Sequence, residues 1–140
     1  MTHPARDFGA AHLRPLRHQR LWIGVWVFGW LLCIALSLIS PPDLPETPPL
    51  TDKIGHLLAY GVLAAWAVQL FASRRALVAS LLALIALGVL LELAQAELTA
   101  VRKADPRDAL ANTLGVLLGG ALVFTPVRKA LSSLEKRWRF

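Results

Sequence analysis

The chain has 140 residues, 56% of them hydrophobic and 17% charged, with a net charge of +6. That length holds one compact unit, and so small a unit has too little interior to bury this much apolar surface in a water-soluble core. The positive charge does not point to nucleic acid, because Lys and Arg flank apolar runs and no phosphate loop, Cys/His zinc spacing or basic-aromatic groove is present.

The basic segment 1–20 leads into an uncharged apolar run over 21–40. A helix needs about 20 apolar residues to cross the hydrocarbon core. The long polar lead and the lack of an Ala-x-Ala site argue for a retained helix over a cleaved signal. Trp22, Trp26 and Trp30 recur every four residues and form one ridge for packing and interface anchoring. Cys33, the single cysteine, has no internal disulfide partner and reads as a small apolar residue. Pro41, Pro42, Pro45, Pro48 and Pro49 then predict an extended, non-helical connection. Further spans are expected over 55–73, 76–98 and 108–124, with Arg74 and Arg75 in the tight turn of a hairpin. In the tail, 126–140, Val127, Leu131, Leu134 and Trp138 fall at helical spacing among basic residues. That pattern predicts a short amphipathic helix on an anionic membrane surface.

The fold class expected is therefore all-α, an integral membrane bundle of four transmembrane helices over 21–125. Its orientation follows from the positive residues. Eleven lie on the side of the termini and the Arg74–Arg75 turn, and four (Lys53, Arg102, Lys103 and Arg107) lie on the other. The positive-inside rule places both termini in the cytoplasm. The Pro-rich segment and the loop before Arg107 then face outward.

Three spans carry polar residues that lipid disfavours. Lys53, His56 and Tyr60 share one helical face, with Asp52 beside them. Glu92 and Gln95 are three apart; Asp108 and Asn112 are four apart and are followed by Gly115 and Gly119. At ~1.5 Å per residue, Glu92 lies roughly 9 Å below Leu98, Tyr60 about 7 Å below Gly55 and Asn112 about 6 Å below Asp108. These depths are all measured from the outward helix ends, so one polar cluster is expected in the outer half of the membrane. An acid at the centre of a span costs about 2.5–3.5 kcal/mol, which favours a partner or a polar cavity beside it. Gly115 and Gly119, in a Gly-x-x-x-Gly pattern, are expected to pack helices closely.

The residues Asp52-Lys53-Ile54-Gly55-His56, Tyr60, Glu92-x-x-Gln95, Arg102, Asp108 and Ala111-Asn112-Thr113-Leu114-Gly115, ending at Gly119, resemble the VanZ-like family of small bacterial membrane proteins. The resemblance covers about half of the chain; the 103–107 loop is more charged than the family pattern. It implies a place in the bacterial cytoplasmic (inner) membrane and a cell-envelope role, in a family named for a teicoplanin-resistance protein and so linked to glycopeptide susceptibility.

Three readings follow. In the first, the pocket binds, with or without modifying, an anionic envelope ligand such as a lipid headgroup or a lipid-linked cell-wall intermediate. Lys53 and Arg102 would hold the anion; Asp52, Tyr60, Gln95, Asp108 and Asn112 would complete the binding set, and His56 and Glu92 are the acid/base candidates. In the second, the cluster is interhelical glue in a non-enzymatic scaffold acting through an envelope protein partner. In the third it belongs to a proton or ion path, which the scarcity of polar residues in the inner half disfavours. The expected partners are otherwise the lipid bilayer and no nucleic acid. No cofactor is expected. No nucleophile motif is present, and His56 with Glu92 and Asp108 is a poor specification for zinc.

Overall fold

The computed structural model describes residues 12–39, 49–98 and 105–137. They form α1 (Gln19–Leu38), α2 (Pro49–Leu70), α3 (Arg74–Leu98) and α4 (Pro106–Ala121). Two 3-10 turns, Leu122–Phe124 and Pro126–Lys129, lead into α5 (Ala130–Arg137). No strand occurs among the described residues; Leu13 and Phe71 form one isolated bridge. Four helices are long and apolar enough to cross a membrane, and the chain is a multi-pass helical membrane protein on that basis.

Helix starts differ from the sequence expectation in a consistent way. Pro49 opens α2 instead of lying in an extended connection, and Pro106 opens α4 two residues before Asp108. Proline has no N–H to offer a helix, and the first turn is where none is needed. At α4 the Asp105 side chain accepts from the Arg107 N–H at 2.9 Å as the N-cap. The Ser73 hydroxyl likewise accepts from the Ala76 N–H at 3.1 Å, so Arg74 and Arg75 are helical and do not form a loop. Residues 40–48 of the proline-rich segment lie outside the described residues.

The tightest packing joins α2 to α4. A Cβ on Gly115 would overlap the Leu57 carbonyl oxygen, and one on Gly119 would overlap that of Gly61. Gly61 itself faces the Gly115 carbonyl, so three glycines let two backbones meet. Tyr60, Leu63, Ala64, Leu84 and Val116 form the core beside this seam, and α3 closes over it.

Helix α1 is peripheral. Ser37 is its one buried residue, and most of its large apolar side chains are exposed. Its tryptophan ridge makes the attachment. Trp26 donates to the Leu63 carbonyl at 3.0 Å and meets Trp30 and Phe71 edge-on at centroid distances of 5.4 and 5.6 Å. Trp66 donates to the Trp22 carbonyl at 3.1 Å while their rings stack tilted at 5.9 Å.

At the end of the bundle holding the α2–α3 turn, both terminal segments are tied down. Arg14 donates its backbone N–H to the Leu70 carbonyl at 2.7 Å, and the Ala72 N–H reaches the His12 carbonyl at 2.8 Å. Leu16, Leu70 and Leu131 pack as one buried cluster. Gln69 clamps the tail, donating to the Val127 carbonyl at 2.7 Å and accepting from the Leu131 N–H at 3.2 Å. Val127 and Leu134 remain exposed, and Trp138 lies outside the described residues.

Glu135 completes the attachment. The N-cap residue of α1, His18, makes no side-chain cap. Glu135 supplies one from α5, accepting from the Arg17 N–H at 2.7 Å, the His18 N–H at 2.9 Å and the Trp22 indole at 2.7 Å. Slight burial raises its carboxyl, but these three donors outweigh burial and hold it below the usual glutamate range. A depressed folded value means that the latch is complete above the unfolded value, and weakens as pH falls through the folded one. Limited proteolysis of the detergent-solubilised protein should therefore spare the tail at neutral pH and release it only once the pH has fallen below the usual glutamate range. Glu135→Ala should bring the same cleavage at neutral pH; an uncut Glu135→Ala tail would mean that the Leu131 and Gln69 contacts suffice.

Candidate functional site

The opposite end of the bundle gathers the polar residues. The first turns of α2 and α4 begin there, and α1 and α3 finish there, so side chains from all four helices converge. The α2–α4 glycine seam sets the spacing. It brings Lys53 and His56 on α2 against Asp108 and Asn112 on α4.

Lys53 is held by two acids. Its Nζ donates to Asp105 Oδ2 at 2.9 Å and to Asp108 Oδ1 at 2.8 Å. Asp108 is buried, and Lys53 keeps a quarter of its side chain exposed (24%), so the pair sits at the mouth of the site. The Lys53 ammonium holds the Asp105 carboxyl below its usual range, helped by the Arg107 backbone N–H. In the next layer, His56 Nδ1 lies 3.0 Å from Asn112 Oδ1. An amide oxygen can only accept, so Nδ1 carries a proton and Nε2 faces the other side of the ring. That nitrogen lies 3.9 Å from Asp52 Oδ2, beyond hydrogen-bond range. One ligand atom each from Asp52, His56 and Asp108 falls within 4.8 Å of the others, a grouping with Asp52 in place of the Glu92 of the set that the sequence made a poor specification for zinc.

Glu92 approaches from α3. It is 5% exposed and has His56, Asp108 and Asp105 as charged neighbours. Its Oε2 has no hydrogen-bond partner among the described residues. Asn112, nearby on α4, is engaged by His56. Gln95 is buried and donates to the Ser37 carbonyl at 2.9 Å, which ties α3 to α1.

Beside this array lies a cavity of about 350 Å³ between α1 and α2. Cys33, Leu36 and Ser37 line one wall; Asp52, His56 and Tyr60 are on the other. Leu36, Gly55 and Ala59 of the lining are exposed, so the cavity opens sideways between two helices.

The site thus brings together Asp52, Lys53, His56, Tyr60, Glu92, Gln95, Asp108 and Asn112. Arg102 lies outside the described residues, so the expected Lys53–Arg102 anion clamp is not assembled among them. Two contributors escaped sequence reasoning. Asp105 resembled a loop residue, although the following proline marked it as a helix cap. Gly88 resembled an ordinary apolar-helix glycine; a Cβ there would lie 3.0 Å from Asn112 Cβ and 3.3 Å from the Tyr60 ring, so its absence seats both. No family model, curated protein or solved structure matches the chain.

Proposed function

We propose that the chain binds an anionic lipid-borne headgroup from the cell envelope in the cavity between α1 and α2. The observation that carries this reading is the conjunction of a converged charged array with a headgroup-sized cavity that opens sideways. Lateral opening suits a ligand arriving within the membrane, because a ligand arriving from water needs an opening along the bundle axis. Arg107, exposed at the start of α4, supplies positive charge at the rim. The eleven-to-four distribution of Lys and Arg supports a site facing outward from a bacterial cytoplasmic membrane with both termini inside. Membership of the VanZ-like family is part of the same proposal and rests on the motif pattern alone. Should the ligand also be transformed, Glu92 and His56 are the acid/base pair that the geometry offers.

The competing reading is interhelical glue. It has support: Lys53 and His56 join α2 to α4, and Gln95 joins α3 to α1. Glue alone, however, gives no reason for a buried carboxylate oxygen to lack a partner, since such an oxygen costs about 1–3 kcal/mol or more. Native mass spectrometry in mild detergent separates the two, with thermal melts as the folding control. The original chain should retain a specific anionic lipid, and folded Glu92→Gln and Arg102→Ala should lose it. Equal retention by all three, or no lipid on any, favours glue.

A further inference from the structure

We propose that Asp52, His56 and Asp108 bind a divalent first-row cation, Mn²⁺ or Zn²⁺, and that Glu92 accepts a hydrogen bond from water on that ion. Charge is the first argument. Among the described residues, four acids, Asp52, Glu92, Asp105 and Asp108, gather at this end against two cations, Lys53 paired with Asp105 and Asp108, and Arg107 beside Asp105. At the end of a membrane bundle, so lopsided a set of acids calls for a further positive charge.

Geometry is the second argument. The three ligand atoms lie within 4.8 Å of one another. Ligands of a tetrahedral ion at about 2.0–2.2 Å stand roughly 3.3–3.6 Å apart. Closing the remaining distance, on the order of an ångström, falls to Asp52, whose side chain is 38% exposed and can swing inward. Lys53 occupies Oδ1 of Asp108 and leaves Oδ2 for the ion.

The support around the ligands is the third. Metal-binding histidines typically donate their other ring N–H to an oxygen acceptor, which fixes tautomer and direction. Asn112 Oδ1 does this for His56 at 3.0 Å, from a position only 2% exposed. Independently, the buried Glu92 Oε2 without a partner lies beside the same groups, where a water on the ion would satisfy it. The donor set, one imidazole nitrogen with carboxylate oxygens, suits Mn²⁺ and Zn²⁺ better than Mg²⁺, which keeps mostly oxygen and water around it. A dication here would also give an anionic headgroup its counter-charge within an acidic site, but the ion-binding proposal stands without that reading.

The test uses the full chain in detergent, stripped of metal with a chelator and dialysed against Mn²⁺ or Zn²⁺. Bound ion is counted by elemental analysis, and Mn²⁺ is followed by electron paramagnetic resonance. One ion per chain is expected, with a single nitrogen coupling on Mn²⁺. His56→Gln should abolish the nitrogen coupling. Asp52→Asn, at the exposed rim and outside the packed core, should fold normally and weaken binding by at least about 100-fold. Asn112→Ala, acting through His56, should weaken it about 10–100-fold. No stoichiometric ion at millimolar metal, or equal binding by folded Asp52→Asn and His56→Gln, would overturn the proposal. Because no lipid is added, failure here leaves the headgroup reading to its own mass-spectrometric test.

Discussion

Gly119→Val should prevent the bundle from closing. Its first side-chain atom would fall on the Gly61 carbonyl oxygen, 2.9 Å from Ala64 Cβ and 2.9 Å from the Ala65 nitrogen. Two of these three obstacles are backbone, so no rotamer change relieves them, and α4 must lift away from α2. Overpacking commonly costs about 1–3 kcal/mol, and a backbone-on-backbone clash lies at or above the top of that range. Lifting α4 also separates Lys53 from Asp108 and His56 from Asn112. The variant should show loss of monodisperse protein in detergent and loss of a disulfide cross-link engineered between α2 and α4. Gly24→Val is the matched control, because a Cβ on Gly24 of α1 meets nothing within 4 Å. If Gly119→Val keeps the cross-link and the melting temperature of the original, the seam is looser than described.

The second large effect is at Trp26. In lipid, apolar burial no longer drives helices together, because acyl chains solvate a side chain as well as another helix does. Specific contacts then decide, and Trp26 concentrates those of α1. Its edge-on pair with Phe71 is worth ~0.5–1.5 kcal/mol, while the pair with Trp30 lies within α1 and does not hold the helix to the bundle. It also makes an indole bond to the Leu63 carbonyl, of a class worth about 0.6–1.7 kcal/mol. Trp26→Ala should therefore cost about 1–3 kcal/mol in SDS titrations followed by circular dichroism. Trp26→Phe should cost only about 0.6–1.7 kcal/mol, the indole bond alone. The cavity depends on α1 for one wall, so Trp26→Ala should also lose any lipid that the original retains. A cost below that of Trp26→Phe would show that α1 is held by its loops.

The sequence shows the spans because the bilayer imposes a length and a composition that little else imitates. Each of the four runs coincides with a helix. Their starts were less legible, since proline reads as a breaker until its place in the first turn is known, as at Pro49 and Pro106. The same-face spacings of Lys53, His56 and Tyr60, and of Asp108 and Asn112, were visible as helix periodicity. Cross-helix pairing has no such period. Nothing in the order of residues says that Lys53 takes Asp105 as well as Asp108, that Gly88 seats Asn112, or that Glu135 caps a helix more than a hundred residues earlier. Those contacts follow from how the glycine seam sets two helices against each other.

The α2–α4 seam also bears on how the protein is made. These two helices are separated in the chain by all of α3. During synthesis, α2 therefore reaches the membrane with Asp52, Lys53 and His56 while Asp108 and Asn112 are still unmade. Glu92 follows on α3, also ahead of its neighbours. A nascent chain cut short before residue 105 carries half a site whose charges face lipid or the insertion machinery without counterparts. The last span to emerge brings both the carboxylates for Lys53 and the glycines that admit it, so insertion, charge compensation and closure of the bundle are completed in one late step.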